Sequence, residues 1–336
     1  MAKNSENVIL GCGLDIGTGN IVAARKAEKG VETRRVRDAF LELPPDSKKM
    51  LKLSNVSYVE RADELLILGD AALDTANIFG REARRPLSAG LVSSSDIDAM
   101  EVLALLIKNV LGDPKVPGEH CYFSVPAAPV DKLGQDVIYH RGVLERIVRE
   151  CGYTPTAGNE AMAIVYAETA KEGFSGIGIS FGAGMTNIAL AVNTIEGLSF
   201  SVGRGGDWID GGAAKSIGST ASRICAIKEK GIDLNAPQGR EQEALTFYYK
   251  NLIEYSIDQI ALQFASVQGK FTLPKPVPIV VSGGTSKAGG FLELFKSVFD
   301  RKRKRFPIEV SEIRASTDPL NAVANGLLIQ AMQESE

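Results

Sequence analysis

The sequence predicts an α/β protein made of two related halves, on three observations. A strand, a glycine-rich turn and a second strand occur near the N-terminus and recur further on, with Asp15, Gly17 and Gly19 matched by Ser180, Gly182 and Gly184 at a constant offset of 165 residues. Short apolar runs alternate with stretches of helical periodicity, which places helices after strands. The 336 residues suffice for two domains, at roughly 100–200 residues each.

From Val8 to Ala24 an apolar run, a turn at Gly17 to Asn20 and a second apolar run form a β-hairpin signal. Arg34 to Lys52 is polar and contains proline. Strands are expected at Asn55 to Val59 and Leu65 to Leu68, a small excursion from the main sheet. Ser94-Ser95-Asp96 precedes the apolar series Ile97, Met100, Leu103, Ile107, Val110 and Leu111, with Gly112 next, the pattern of a capped amphipathic helix. Cys121 to Val125 reads as a buried strand stopped by Pro126 and Pro129. A helix from about Gly134 to Cys151 closes at Gly152, and another runs from near Asn159 to Thr169. Ile177 to Ala191 then repeats the opening pattern. Residues 213–268 form a helix-rich insert, and a third glycine turn, Val280 to Thr285, precedes the helix Phe291 to Phe299.

Composition narrows the functional classes. With 44% hydrophobic and 24% charged residues the chain is an ordinary globular one, and 38 Lys+Arg against 41 Asp+Glu exclude nucleic-acid binding through bulk positive charge. The apolar stretch Val102 to Leu111 is interrupted by Lys108 and Asn109 and falls far short of the roughly 20 residues that span a bilayer. Met1 to Asn7 is polar and offers no signal-peptide core or amphipathic anchor. No nucleic-acid partner and no direct membrane insertion are expected, and the expected location is cytoplasmic. Cys12, Cys121, Cys151 and Cys225 are scattered singly; they read as small buried residues, without a disulfide or zinc framework.

A Gly-Thr-Gly hairpin turn lets backbone N–H groups face an anion with no side chain in the way, and glycine tolerates the positive φ such a turn demands. One such turn is equally a plain hairpin. Two of them, one per half, with a third Gly-Gly turn before a helix, make a set able to grip a polyphosphate from both sides. Asp15, at a strand end, suits either a turn cap or a metal anchor, and Glu160, at a helix start, also complements the helix dipole.

These residues carry a resemblance. Leu14 to Asn20 resembles the first phosphate loop of the actin, heat-shock chaperone and sugar kinase superfamily, and Gly178 to Asn187 its second. Phe123-Ser124-Val125-Pro126-Ala127 with Asn159 to Ala163 resembles the first connecting segment, Val281 to Gly284 the adenosine loop, and Asp318 to Gly326 the second connecting helix. The signatures occur in order across nearly the whole chain. Arg85 to Gly90 and Gly205 to Asp210 are most similar to bacterial actins of the MreB and MamK type.

The resemblance implies a two-lobed actin-like ATPase fold, each lobe built on a mixed five-stranded sheet flanked by helices. Lobe I would be 1–158 with a small subdomain at about 34–90, and lobe II 159–336 with the insert 213–268, the C-terminal helix 318–334 packing back on lobe I. It implies ATP in the cleft, bound by Gly17, Thr18, Gly19 and Asn20, by Gly182, Ala183, Gly184, Met185 and Thr186, and by Gly283, Gly284 and Thr285. Mg²⁺ would ride on the phosphates, anchored through water by Asp15, and Glu160 would orient the attacking water as the catalytic residue. Self-association into a nucleotide-dependent homopolymeric filament follows from the same resemblance.

Two positions depart from the pattern. Ser180 stands where the superfamily places an acidic residue, and Met185 where bacterial actins place threonine, so hydrolysis is expected to be slow or absent. An ATP-switched chaperone-like protein or a non-hydrolysing scaffold is the alternative, and Asp207 in its Gly-Asp context keeps a small-molecule kinase in view. Arg301 to Arg305 reads as a solvated helix end, His120 and His140 as surface or strand-edge residues, Asp207 as a helix cap and Trp208 as packing.

Overall fold

The computed structural model describes residues 10–92, 97–132, 137–266 and 276–334. The expected cap Ser94 to Asp96, the first residues of the helix expected from Gly134 and the end of the 213–268 insert lie outside them.

The first half opens with β1 (Cys12–Ile16), β2 (Asn20–Lys26) and β3 (Val31–Arg37), an antiparallel run in which Asp15 pairs with Val22 and Asn20 with Arg37. β3 is polar on both faces and largely exposed, an edge strand blunted by charge. A subdomain follows, made of β4 (Phe40–Leu43), α1 (Lys48–Leu53), β5 (Val59–Glu60), β6 (Leu65–Leu68) and α2 (Asp70–Phe79), with its own sheet in the order β4-β6-β5 around Leu41, Leu51 and Ile67. The strand expected at Asn55 to Val59 shrinks to β5, because Asn55 adopts a left-handed turn conformation after α1.

A short hairpin, β7 (Leu87–Ser88) and β8 (Leu91–Val92), leads to α3 (Ile97–Leu111), β9 (His120–Val125), α4 (Val137–Glu150) and β10 (Thr154–Asn159). β9 pairs parallel with both β1 and β10, giving the mixed sheet β10-β9-β1-β2-β3. His140 is not at the surface. It lies inside α4, fully buried, and its Nδ1 accepts from the Val92 amide at 3.2 Å, so the helix secures β8. His120 does begin a strand, β9. Cys12 and Cys121 are buried as expected, whereas Cys151 and Cys225 are only partly so.

The second half repeats the plan. After α5 (Glu160–Glu168) come β11 (Gly176–Phe181), β12 (Thr186–Val192) and β13 (Ile195–Val202), then α6 (Gly206–Ile217), α7 (Ala221–Glu229) and α8 (Gly239–Ser266), and finally β14 (Val277–Ser282), α9 (Phe291–Lys302), β15 (Val310–Ala315) and α10 (Ala322–Gln333). The second mixed sheet runs β13-β12-β11-β14-β15, the same order by position within the half as the first.

α5 is apolar on every side and buried from Ala161 to Val165, as a helix enclosed on all sides must be. It lies on β11 and β12 and against α10, while α10 lies on β1, β2 and β9. Their crossing is close enough that a Cβ on Gly326 would stand 1.8 Å from the Ala163 carbonyl oxygen. Gly13 and Gly178 play matching parts 165 residues apart: a Cβ would meet the Ala324 carbonyl oxygen at 2.1 Å in one and the Ala161 carbonyl oxygen at 2.3 Å in the other. Glycine at these points lets a helix backbone rest directly on the sheet.

Candidate functional site in the cleft between the two sheets

The β1–β2 turn and the β11–β12 turn face each other in a cleft of about 580 Å³, within the range of small-molecule sites. Both turns close alike, with Gly17 N donating to Asn20 O and Gly182 N to Met185 O, each at 3.0 Å. The expected positive φ is not found: none of Gly17, Gly19, Gly182 and Gly184 lies in the left-handed region. Close approach is what excludes a side chain. A Cβ on Gly184 would lie 2.6 Å from Thr18 Oγ1 and 2.3 Å from the Gly90 amide nitrogen. The amides of Thr18, Gly19, Ala183 and Gly184 donate to no acceptor among the described residues.

The third turn is tied to the second. Thr285 Oγ1 donates to Gly182 O at 2.9 Å, and Gly283, at φ 94°, donates its N–H to Pro319 O. Gly206 N and Asp207 N donate to the carbonyls of Gly182 and Ala183, so the second turn caps α6. Gly283, Gly284 and Thr285 line the cleft, as do Asn20 and Met185. Thr186 does not: it is buried and its hydroxyl donates to Arg204 O. Asp207 is not the cap of α6, which is Gly205; it lies in the first turn and takes Arg85 Nη1 at 2.8 Å. Trp208 packs edge-on against Tyr248, as expected of a packing residue.

Asp15 and Glu160 enter the cleft from the end of β1 and the start of α5. Asn159 caps α5 by accepting from the amides of Ala161 and Met162, which holds Glu160 at the first helical position. Burial pushes the Asp15 carboxyl up to about 7, against a lowering hydrogen bond from Ser124. Glu160 rises to about 8 through burial and then the nearby Asp15 charge, with Asn187 Nδ2 at 2.8 Å favouring the ionised form. No Lys or Arg forms an ion pair with either among the described residues. An unneutralised carboxylate pair beside free amides fits a divalent cation that also binds phosphate oxygens, because Mg²⁺ takes one or two carboxylates and keeps much of its water. Ser180 lies in the same lining and adds only a hydroxyl.

The cleft also holds residues that sequence reasoning missed. Lys228 Nζ pairs with Asp210 Oδ2 at 2.6 Å, and Glu229 takes Arg37 across the cleft. Asn187 was also missed. Its only sequence signal is its place at the start of the strand after a phosphate-type turn.

This arrangement, two like α/β lobes joined by crossing helices with a glycine-lined cleft, defines the actin-like fold. A sequence profile described as Volactin matches residues 10–331, and the chain belongs to that family. The fold is similar to that of a MamK double helical filament subunit, with a TM-score of 0.73 at 19% identity over 96% of this chain and 98% of that one. It is likewise similar to MreB5 of Spiroplasma citri bound to AMPPNP (TM-score 0.66, 18% identity, 97% of each chain) and to the ethanolamine utilization protein EutJ from Carboxydothermus hydrogenoformans (0.56, 16%, 96% and 90%). No curated protein matches the sequence. No helix among the described residues is long and apolar enough to cross a membrane.

Proposed function

We propose that the chain is an actin-like cytoskeletal protein of the cytoplasm that binds ATP with Mg²⁺ between its lobes and assembles into nucleotide-dependent filaments, hydrolysing ATP slowly. The observation that carries this reading is the set of unused amides on Thr18, Gly19, Ala183 and Gly184, opposed across one cleft above Asp15 and Glu160. Neutral N–H donors attract an anion, whereas two carboxylates repel a bare one. A polyphosphate carrying its own cation satisfies both. The similar structures lend support, since one is a MamK filament and another is MreB5 with AMPPNP.

Lobe I would span 1–158 and lobe II 159–336. Asp15 would hold the hydrated cation, which when bound neutralises phosphate charge. Glu160, kept in one orientation by Asn187, would orient a water as base or positioner. Ser180 supplies no second metal-directed carboxylate and Met185 no hydroxyl, and slow turnover follows. Lobe closure on the ligand stabilises one relative orientation and so one assembly surface, and head-to-tail contacts between like subunits need not close into a ring. Those same two residues favour one second reading, a scaffold that binds nucleotide without hydrolysing it, which a phosphate-release assay separates from the first. Titration calorimetry with ATP and Mg²⁺ tests the binding step: wild type is expected to bind and Gly184→Val to lose binding, and a wild type that binds no nucleotide defeats the reading.

A further inference from the structure

We infer that Arg37 and Glu229 form a clasp across the mouth of the cleft that must open before the bound ligand can leave. Arg37, the last residue of β3, and Glu229, the last of α7, are 192 residues apart in the chain and belong to opposite halves. Their contact is bidentate, Nη1 to Oε1 at 2.9 Å and Nη2 to Oε2 at 2.8 Å. Such paired, parallel N–H···O bonds fix direction as well as distance. Asp70 Oδ1 lies 3.4 Å from Arg37 Nε and steadies the guanidinium from the subdomain side. Both side chains line the cleft that the glycine turns also line, and Arg37 pairs with Asn20 of the first turn.

Three features suit the pair to opening and closing rather than to holding the fold together. Glu229 keeps 41% of its side-chain surface exposed, so solvent and salt weaken the attraction and its contribution to stability is small. The two elements lie at the periphery: β3 is an exposed edge strand held by β2 alone in its sheet, and α7 buries only Ile224. The base of the subdomain, by contrast, is wired to the cleft floor. Asp38 N donates to Gly19 O in the first turn, Asp38 Oδ2 accepts from the Leu87 amide, and Arg85 pairs with Asp207, whose own amide donates to Ala183 O in the second turn. A shift of either glycine turn is thereby passed to the strand that carries Arg37.

This inference rests on the nucleotide reading, and its test separates the two. Stopped-flow release of N-methylanthraniloyl-ATP is measured for wild type, Arg37→Glu, Glu229→Arg and the double exchange at low salt. Each single variant is expected to release the probe about two- to fivefold faster, the range for an exposed ion pair, and the double exchange to return near the wild-type rate, which loss of a direct ligand contact would not do. Singles no faster than wild type, or a double exchange as fast as the singles, overturn the clasp. If wild type binds no nucleotide, the nucleotide reading fails and the clasp is read from amide hydrogen exchange in Val31–Arg37 and Ala221–Glu229 of the nucleotide-free protein. Faster exchange in the singles, restored in the double, supports it; unchanged exchange overturns it. Arg37→Gln, which adds no repulsion, stands in should a charge reversal fail to fold.

Discussion

Asn187 Nδ2 donates to Glu160 Oε2 at 2.8 Å, joining the second residue of β12 to the start of α5, while Asn187 Oδ1 accepts from the Ala127 amide. The amide side chain is thus held at both ends and fixes one oxygen of Glu160, leaving the other free to face the cleft. Asn187→Ala is expected to lower single-turnover phosphate release about tenfold or more while nucleotide affinity changes little, as for a positioning group in hydrolysis. Glu160→Gln is expected to abolish release and retain binding. Equal losses of affinity and rate in either variant would contradict these roles.

Ser180 occupies the position 165 residues after Asp15, in the lining of the same cleft. Ser180→Asp is expected to raise Mg²⁺-dependent phosphate release and to lower stability without Mg²⁺, because it adds a third acidic group to a pair already short of cations. Release measured with and without Mg²⁺ checks it. Unchanged turnover would remove Ser180 as the cause of slow hydrolysis.

The raised carboxyls set a pH dependence. Asp15 reaches about 7, and Asp38 and Glu160 about 8, so across pH 6.5–8 the folded ligand-free protein binds more protons than the unfolded chain, whose carboxyls are already ionised. Stability therefore falls as pH rises through that window. His140, lowered by burial to about 4, works the other way but only below its unfolded value of 6.5. Urea unfolding without Mg²⁺ is expected to show a midpoint declining from pH 6.5 to 8, with a flatter slope in Asp38→Asn. A midpoint that does not decline over this range would show that these carboxyls titrate at ordinary values.

Gly326→Ala places a methyl 1.8 Å from the Ala163 carbonyl oxygen at the crossing of α5 and α10. The helices must separate, at a cost of about 1–3 kcal/mol or more. Denaturant midpoints check this, and a loss below about 0.5 kcal/mol would show that the crossing is loose.

Much of this was legible in the sequence because the halves repeat. The offset linking Gly17 to Gly182 made the turns and the first strands readable together; that it also links Gly13 to Gly178, where helices rest on the sheet, emerged only from the structure. Asp15 and Glu160 were singled out through the family resemblance, since a strand-end Asp suits a turn cap and a helix-start Glu the helix dipole equally well. β3 and β4 were not, since β3 is polar on both faces and gives no alternation to read. Nor was the positive φ of the glycine turns correctly foreseen, because the constraint is contact between Gly184 and Thr18, two residues brought together only by the fold. Arg37 with Glu229 and Val92 with His140 escaped for the same reason: a charge or a ring nitrogen gives no local sign of a partner dozens of residues away.

Sedimentation of the purified chain with Mg²⁺, with ATP, AMPPNP or no nucleotide, tests the link between cleft and assembly most directly. The account predicts pelleted filaments with ATP and AMPPNP, little pellet without nucleotide, and none with Gly184→Val under any condition. A wild-type chain that stays in the supernatant with every nucleotide, at concentrations where calorimetry shows the cleft saturated, would contradict it.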